Sequence, residues 1–254
     1  MGTLALEGPV AALLEGDSEP TPSNSYKEAR RAYRFALACA EQAKDWPLRA
    51  VVLGSMAHQA TRTGQPDEAL TLAEQALVRS DRLTATGLCM LHTDRARALA
   101  KMRRVSETMT AIGTADDHFA HATPDNDPPF LARRNAAALA GNTGQVLFDL
   151  AMLGHHPEQA TDRLAAAATG HSASAVRSRA ISLAKLASLT MVTGDPSQAA
   201  SIGHKALDVA GTLRSHRAAE ELRELSRYAA PHQHLDEVAH LRHRIATLVC
   251  TDSL

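Results

Sequence analysis

One pattern recurs along the chain and narrows what it can fold into. An apolar stretch with helical spacing runs into a Gly-x-Pro turn, an Ala follows five or six residues after the Gly, and a second helical stretch begins. The clearest copy is VVLGSMAHQATRTGQPDEALTLAEQAL, with Gly64, Pro66, Ala69, Ala76 and Leu77. Another, ISLAKLASLTMVTGDPSQAASIGHKAL, carries Gly194, Pro196, Ala199, Ala206 and Leu207. Between them lies QVLFDLAMLGHHPEQATDRLAAAA, with Gly154, Pro157, Ala160 and Ala167 and one extra residue in its turn. A degenerate copy, TDRARALAKMRRVSETMTAI, puts Arg103 and Val105 where the others have Gly and Pro. Gly fits a left-handed position just past a helix end, and Pro fits the first turn of the next helix. Small Ala residues let two helices approach closely. A single hairpin cannot bury both of its faces, so the copies are expected to stack into a right-handed superhelix with a concave side.

Composition agrees with an all-α fold. The chain has 49 Ala among 254 residues and only eight aromatics, 4 Phe, 3 Tyr and 1 Trp. Ala has the highest helix propensity, whereas sheets favour β-branched and aromatic residues. The 27 basic and 28 acidic residues leave a formal charge of −1, so no overall pull toward nucleic acid or membrane is expected. Apolar runs are short and interrupted, and the start lacks the basic region of a secretory signal. Cys39, Cys89 and Cys250 are odd in number and widely spaced, which predicts free thiols and a cytoplasmic protein.

The domain reading is a leader and linker over residues 1–25 and a repeat domain over residues 26–254. The linker is Gly16 to Ser25, and the leader is expected to hold at most a short apolar helix around Val10 to Leu14. The segment YKEARRAYRFALACAEQA carries Ala29, Tyr33, Ala36 and Leu37 at the offsets of a second repeat helix, so the chain is read as starting mid-repeat. SHRAAEELRELSRYAA is capped by Ser215 and bounded by Pro231, and Asp236 is placed to cap the last helix. The insertion DDHFAHATPDNDPPFLARRN is the most irregular stretch, expected to lie across an opening of the superhelix, with Phe119 and Phe130 as groove-lining candidates.

No catalytic or metal motif is present: no Gly-x-Ser-x-Gly, no phosphate-binding glycine loop, no His-Glu-x-x-His and no Cys-x-x-Cys. No cofactor is expected. The pairs His155/His156, His232/His234 and His240/His243 read as surface histidines rather than metal ligands. Aligning the repeats places His58, Arg97, Phe148 and Ser188 in one column of the first helices, and Arg62, Lys101, Met152 and Val192 one turn later. Ser55, His58, Gln59 and Arg62 share one face of their helix. The candidate ligand-binding residues are therefore Ser55, His58, Gln59, Arg62, Arg97, Lys101, Phe148 and Met152. Such a groove, basic at one end and apolar at the other, suits a small molecule or peptide carrying a carboxylate or phosphate, or a protein partner. The alternative is that these charges are solvated or paired within repeats, with Asp94 and Glu68 as available partners. An enzymatic use of the groove would draw on His58 and Asp149 as acid or base, and the sequence leaves that open along with a homodimer.

The hairpin pattern resembles the tetratricopeptide repeat, with longer periods than its usual 34 residues. Beyond the fold, VLGSMAHQATRTGQPDEALTLAEQAL, the DNDPPF insertion, FDLAMLG and GTLRSHRAAEELRELSRYAAP resemble the domain that follows the helix-turn-helix of actinobacterial Xre-type regulators. The resemblance runs from about Tyr26 to about Val249. It implies a sensor that binds a small molecule, peptide or protein partner. The DNA-binding part of that family has no counterpart in these residues, so the resemblance implies a regulator-like module with no direct nucleic-acid binding. It also allows a stand-alone biosynthetic enzyme or accessory factor descended from such a sensor.

Overall fold

The computed structural model describes residues 24–131, 134–211 and 215–251, apart from a few side chains. The expectations for the leader and for the Cys250 thiol lie outside the described residues. Every regular element among those described is helical. They fall into two compact units, Met1–Arg134 and Asn135–Leu254, each described by itself.

In the first unit, α1 (Asn24–Ala43) packs on α2 (Trp46–Arg62); α2 and α3 (Pro66–Ala76) form one hairpin, α4 (Ala85–Lys101) and α5 (Val105–Ala120) the next. Helix starts follow local chemistry. The Asp45 carboxylate accepts from the Leu48 amide at 3.0 Å, and the Thr84 hydroxyl from the Gly87 amide at 3.2 Å. Pro66 opens α3, where a missing N–H costs nothing. α1 packs as a second helix: Tyr33 and Ala36 are buried against Val52 of α2.

In the second unit, α6 (Ala136–Ala151) pairs with α7 (Pro157–Gly170) and α8 (Val176–Thr193) with α9 (Pro196–Ala210). A further hairpin, α10 (His216–Ala229) with α11 (Asp236–Thr251), stacks on α8 and α9, first helix on first helix and second on second. Ser215 caps α10 as expected, its hydroxyl accepting from the Ala218 amide at 3.3 Å. Asp236 lies in the first turn of α11, where its charge favours the helix N-terminus.

The repeat register is visible in burial. Ala69, Thr108, Ala160, Ala199 and Val238 occupy one position in the second helices of the five hairpins, and all are wholly buried. Seven residues later Ala76, Ala115, Ala167, Ala206 and Ile245 are buried again. At both positions a small side chain usually lies where helix meets helix.

The turns depart from expectation in one place. Gly64 and Gly154 take the left-handed conformation, at φ 76° and 88°, and Arg103 takes it at φ 59° in the degenerate copy. Gly194 does not; its φ is −133°. The insertion also differs from expectation. Its first residues extend α5, and its Pro-rich remainder forms two 3-10 turns that place Leu131 in the core with Ala50, Val51, Leu53, Met90 and Leu91. Phe130 packs against that same cluster, so it closes the core of the first unit instead of lining a groove. Phe119 is half-buried on α5.

Candidate functional site

In the first unit, the candidate site is built on α2 and α4. Arg97 Nη1 donates to the Asp94 carboxylate at 2.8 Å, one turn away on α4. The same nitrogen lies 2.9 Å from His58 Nδ1 on α2, and His58 Nδ1 is 4.0 Å from Asp94 Oδ1. An arginine can only donate, so Nδ1 of His58 accepts and its proton sits on Nε2. Gly54, one turn before His58, makes room for this arrangement: a Cβ there would stand 3.1 Å from Asp94 Oδ2 and 3.0 Å from Leu91 Cδ2. Burial pushes the Asp94 carboxyl above its ordinary range, against the opposing pull of Arg97 and Arg134. Desolvation lowers the pKa of Arg134, whose charge faces both Asp94 and Arg97. Arg97 thus bonds this buried carboxylate directly, and the charge of a second guanidinium, Arg134, acts on it.

The other candidate residues of α2 are engaged in different ways. The Ser55 hydroxyl donates to Val51 O of its own helix at 2.9 Å. Gln59 Nε2 donates to Tyr26 O at 3.3 Å, fastening α1 to α2. Arg62 and Lys101 are exposed at the last turns of α2 and α4. Glu68 pairs with Arg30 of α1 at 2.9 Å. The structure therefore brings His58 and Arg97 together through Asp94, and ties Ser55 and Gln59 to backbone carbonyls.

In the second unit, Phe148 is 2% exposed on α6, so it is a buried wall and not the open groove-lining residue the column predicts. Met152 follows it half-buried at the helix end, and Asp149 is half-buried beside it. Over the Phe148 ring, at 4.3 Å, stands the Lys185 ammonium of α8. Lys185 reaches Glu221 Oε2 at 2.8 Å and Glu224 Oε2 at 2.5 Å, both on α10. Tyr228 completes the arrangement: its hydroxyl donates to Glu224 at 3.3 Å and its ring meets Phe148 edge-on at 6.3 Å. Burial opposes the charge of Lys185, but the two carboxylates outweigh it and its pKa is raised. Burial raises Glu221; at Glu224 the ammonium outweighs burial and the pKa falls. Nearby, Arg217 of α10 donates to Gln145 of α6 at 2.7 Å.

Lys185, Glu221, Glu224 and Arg134 are not among the residues singled out by the sequence reading. A signal for the first existed. Three residues before the column of His58, Arg97, Phe148 and Ser188 stand Ser55, Asp94, Gln145 and Lys185, polar in every copy. The glutamates give no such signal, because on α10 they read as an ordinary solvated face.

Among the described residues no three His, Cys, Asp or Glu side chains converge as metal ligands, and no helix is long and apolar enough to cross a membrane. His240 lies against His204, with ring centroids 5.1 Å apart. Cys39 and Cys89 are free thiols, half-buried and buried.

No family model matches the chain, and no curated protein does. Among solved structures it is similar to the nearly identical TPR-like repeats of a Podosopora anserina kinesin light chain-like protein. That likeness has a TM-score of 0.55 at 16% identity, over 80% of this chain and 95% of the other. A crystal structure of a variant of those repeats gives a TM-score of 0.56 at 16% identity, over 82% and 97%. The fold is a tetratricopeptide-like repeat. At this identity the likeness speaks for the repeat architecture, and function must be argued from the sites.

Proposed function

We propose that this tetratricopeptide-like chain is a binding module. It recognises a peptide, small molecule or protein partner through the first-helix face of its repeats, as the resemblance to regulator sensor domains implies. The observation that carries this reading is the charge of the α2–α4 cluster. Arg97 bonds Asp94 and lies against His58, the charge of Arg134 acts on the same carboxylate, and Arg62 and Lys101 stand exposed one turn further along their helices. A face built only for packing is apolar, whereas a run of cationic side chains beside a partly buried polar cluster favours an anionic group of a ligand.

Arg97 acts in this reading as a positioning residue, since its guanidinium is already committed to Asp94 and His58. The contacts to a ligand fall to the more exposed Arg62 and Lys101. An array of dodecapeptides with free C-terminal carboxylates, beside the same peptides amidated, tests this. The carboxylate forms are expected to bind better, and Arg62→Ala or Lys101→Ala to reduce that binding about tenfold, the equivalent of about 1.4 kcal/mol. Equal binding by both peptide forms and by both variants overturns the reading.

A further inference from the structure

Arg134, the last residue of the first unit, carries a guanidinium that the protein encloses without bonding it. Its backbone amide donates to Leu131 O at 2.9 Å, and Leu131 is fixed in the core with Met90 and Leu91 of α4. The residue keeps part of its area in water, while its charged head is set among protein atoms, and that desolvation lowers its pKa. The charge of the head acts on Cys89, Asp94 and Arg97. Those three lie on one stretch of α4 about 12 Å long, at 1.5 Å per residue, so the guanidinium stands alongside that stretch. Among the described residues no hydrogen bond or ion pair holds it.

A guanidinium has only donors to offer, and enclosing it is unfavourable unless acceptors are supplied. Asp94 does not supply them: its carboxylate bonds Arg97 at 2.8 Å and acts on Arg134 through its charge alone. Arg97 and Arg134 bring two positive charges against at most one negative, and burial, by raising the pKa of Asp94, opposes even that one. One further negative charge therefore brings the cluster to neutrality, and two overshoot it. A guanidinium also pairs best with a planar oxyanion, through two parallel N–H···O bonds. Both considerations favour a single carboxylate over a phosphate dianion.

We propose that Arg134 is the inner anchor of the site on α2 and α4 and binds a carboxylate of the ligand. The proposal rests on the reading of this chain as a binding module, and adds to it a contact set deeper than Arg62 and Lys101.

Thermal melts of the full chain in sodium propionate, against sodium chloride at equal ionic strength, test it. Propionate is expected to raise the wild-type midpoint by about 2–4 °C over chloride. Arg134→Met is expected to lose that rise, and inorganic phosphate at the same ionic strength to give the wild type less of it than propionate does. Equal rises in the two chains overturn the proposal, because the effect is then that of the salt on any protein. No rise in the wild type overturns it too, as does a rise with phosphate that matches or exceeds the rise with propionate. The melts and the peptide array read different contacts. If the array fails while the propionate response holds, the module reading falls and the anion site at Arg134 stands; the reverse outcome removes the anchor and leaves the module.

Discussion

Arg103 holds a conformation that costs a residue with a Cβ. Its φ of 59° matches the left-handed turn that Gly64 and Gly154 take in the other copies. Lys44, Arg79 and His156 are also left-handed, so each such non-glycine residue described is a cation or a histidine. Lys44 and Arg103 follow helix ends, where positive charge offsets part of the strain. Arg79 is held differently, by two hydrogen bonds to Asp81 at 2.9 and 3.0 Å and by stacking on Trp46 at 5.2 Å. Arg103→Gly is therefore expected to stabilise the chain by about 0.5–1 kcal/mol, read as a raised urea midpoint. His92 gives a prediction in pH. Burial, with His118 and Arg95 adding, pushes it down to about 4, and its ring stacks on His118 at 5.3 Å. Its unfolded-state value is about 6.5, so below that pH the unfolded chain takes up a proton that the folded chain refuses. Stability from this site is complete above pH 6.5 and lost as the pH falls toward 4. His92→Gln should flatten that part of the profile; an unchanged slope in urea melts between those values argues against the assignment.

Between elements, first helices meet through polar seams, and second helices meet first helices through small residues. Lys185 pairs with two half-buried carboxylates on the neighbouring α10, so Lys185→Met removes the cation that bridges them. The expected loss is about 3–5 kcal/mol, and Glu221→Gln with Glu224→Gln in the same chain should recover most of it. Arg97→Ala removes the cation hydrogen-bonded to buried Asp94, leaving only the charge of Arg134 acting on it, and is expected to lower stability as well as any binding. That makes it unsuitable as a clean test of ligand contact, although the sequence alone recommends it for one. Gly203 shows the opposite demand. A Cβ there would lie 2.7 Å from Leu241 Cδ2 and 3.2 Å from Leu225 Cδ2, so Gly203→Ala overpacks the junction of α9, α10 and α11 by about 1–3 kcal/mol. The hairpins were legible from Gly, Pro and Ala spacing because those residues act through local backbone geometry and size. The Lys185 seam was not, since its partners come from a helix about 40 residues further on, where charge looks like solvent exposure until neighbours cover it.

At the scale of the whole chain, each hairpin within a unit touches chiefly its neighbours, so damage should stay near its origin. Hydrogen exchange on Gly203→Ala is expected to show lost amide protection in α8 to α11 with α2 to α4 unchanged; equal loss everywhere contradicts nearest-neighbour coupling. The amino-acid sequence by itself determined the class of fold, the hairpin register and the absence of any recognised catalytic motif. Each of those is carried by local propensity and by small residues at a fixed spacing. Tertiary structure decided which polar side chains face one another. It turned Phe148 from an open groove residue into the buried floor under Lys185, and Arg97 from a ligand contact into the partner of Asp94. The insertion likewise became part of the core around Leu131. A one-dimensional pattern states the face a residue occupies, but its charge partners and its burial depend on the helix that packs against that face.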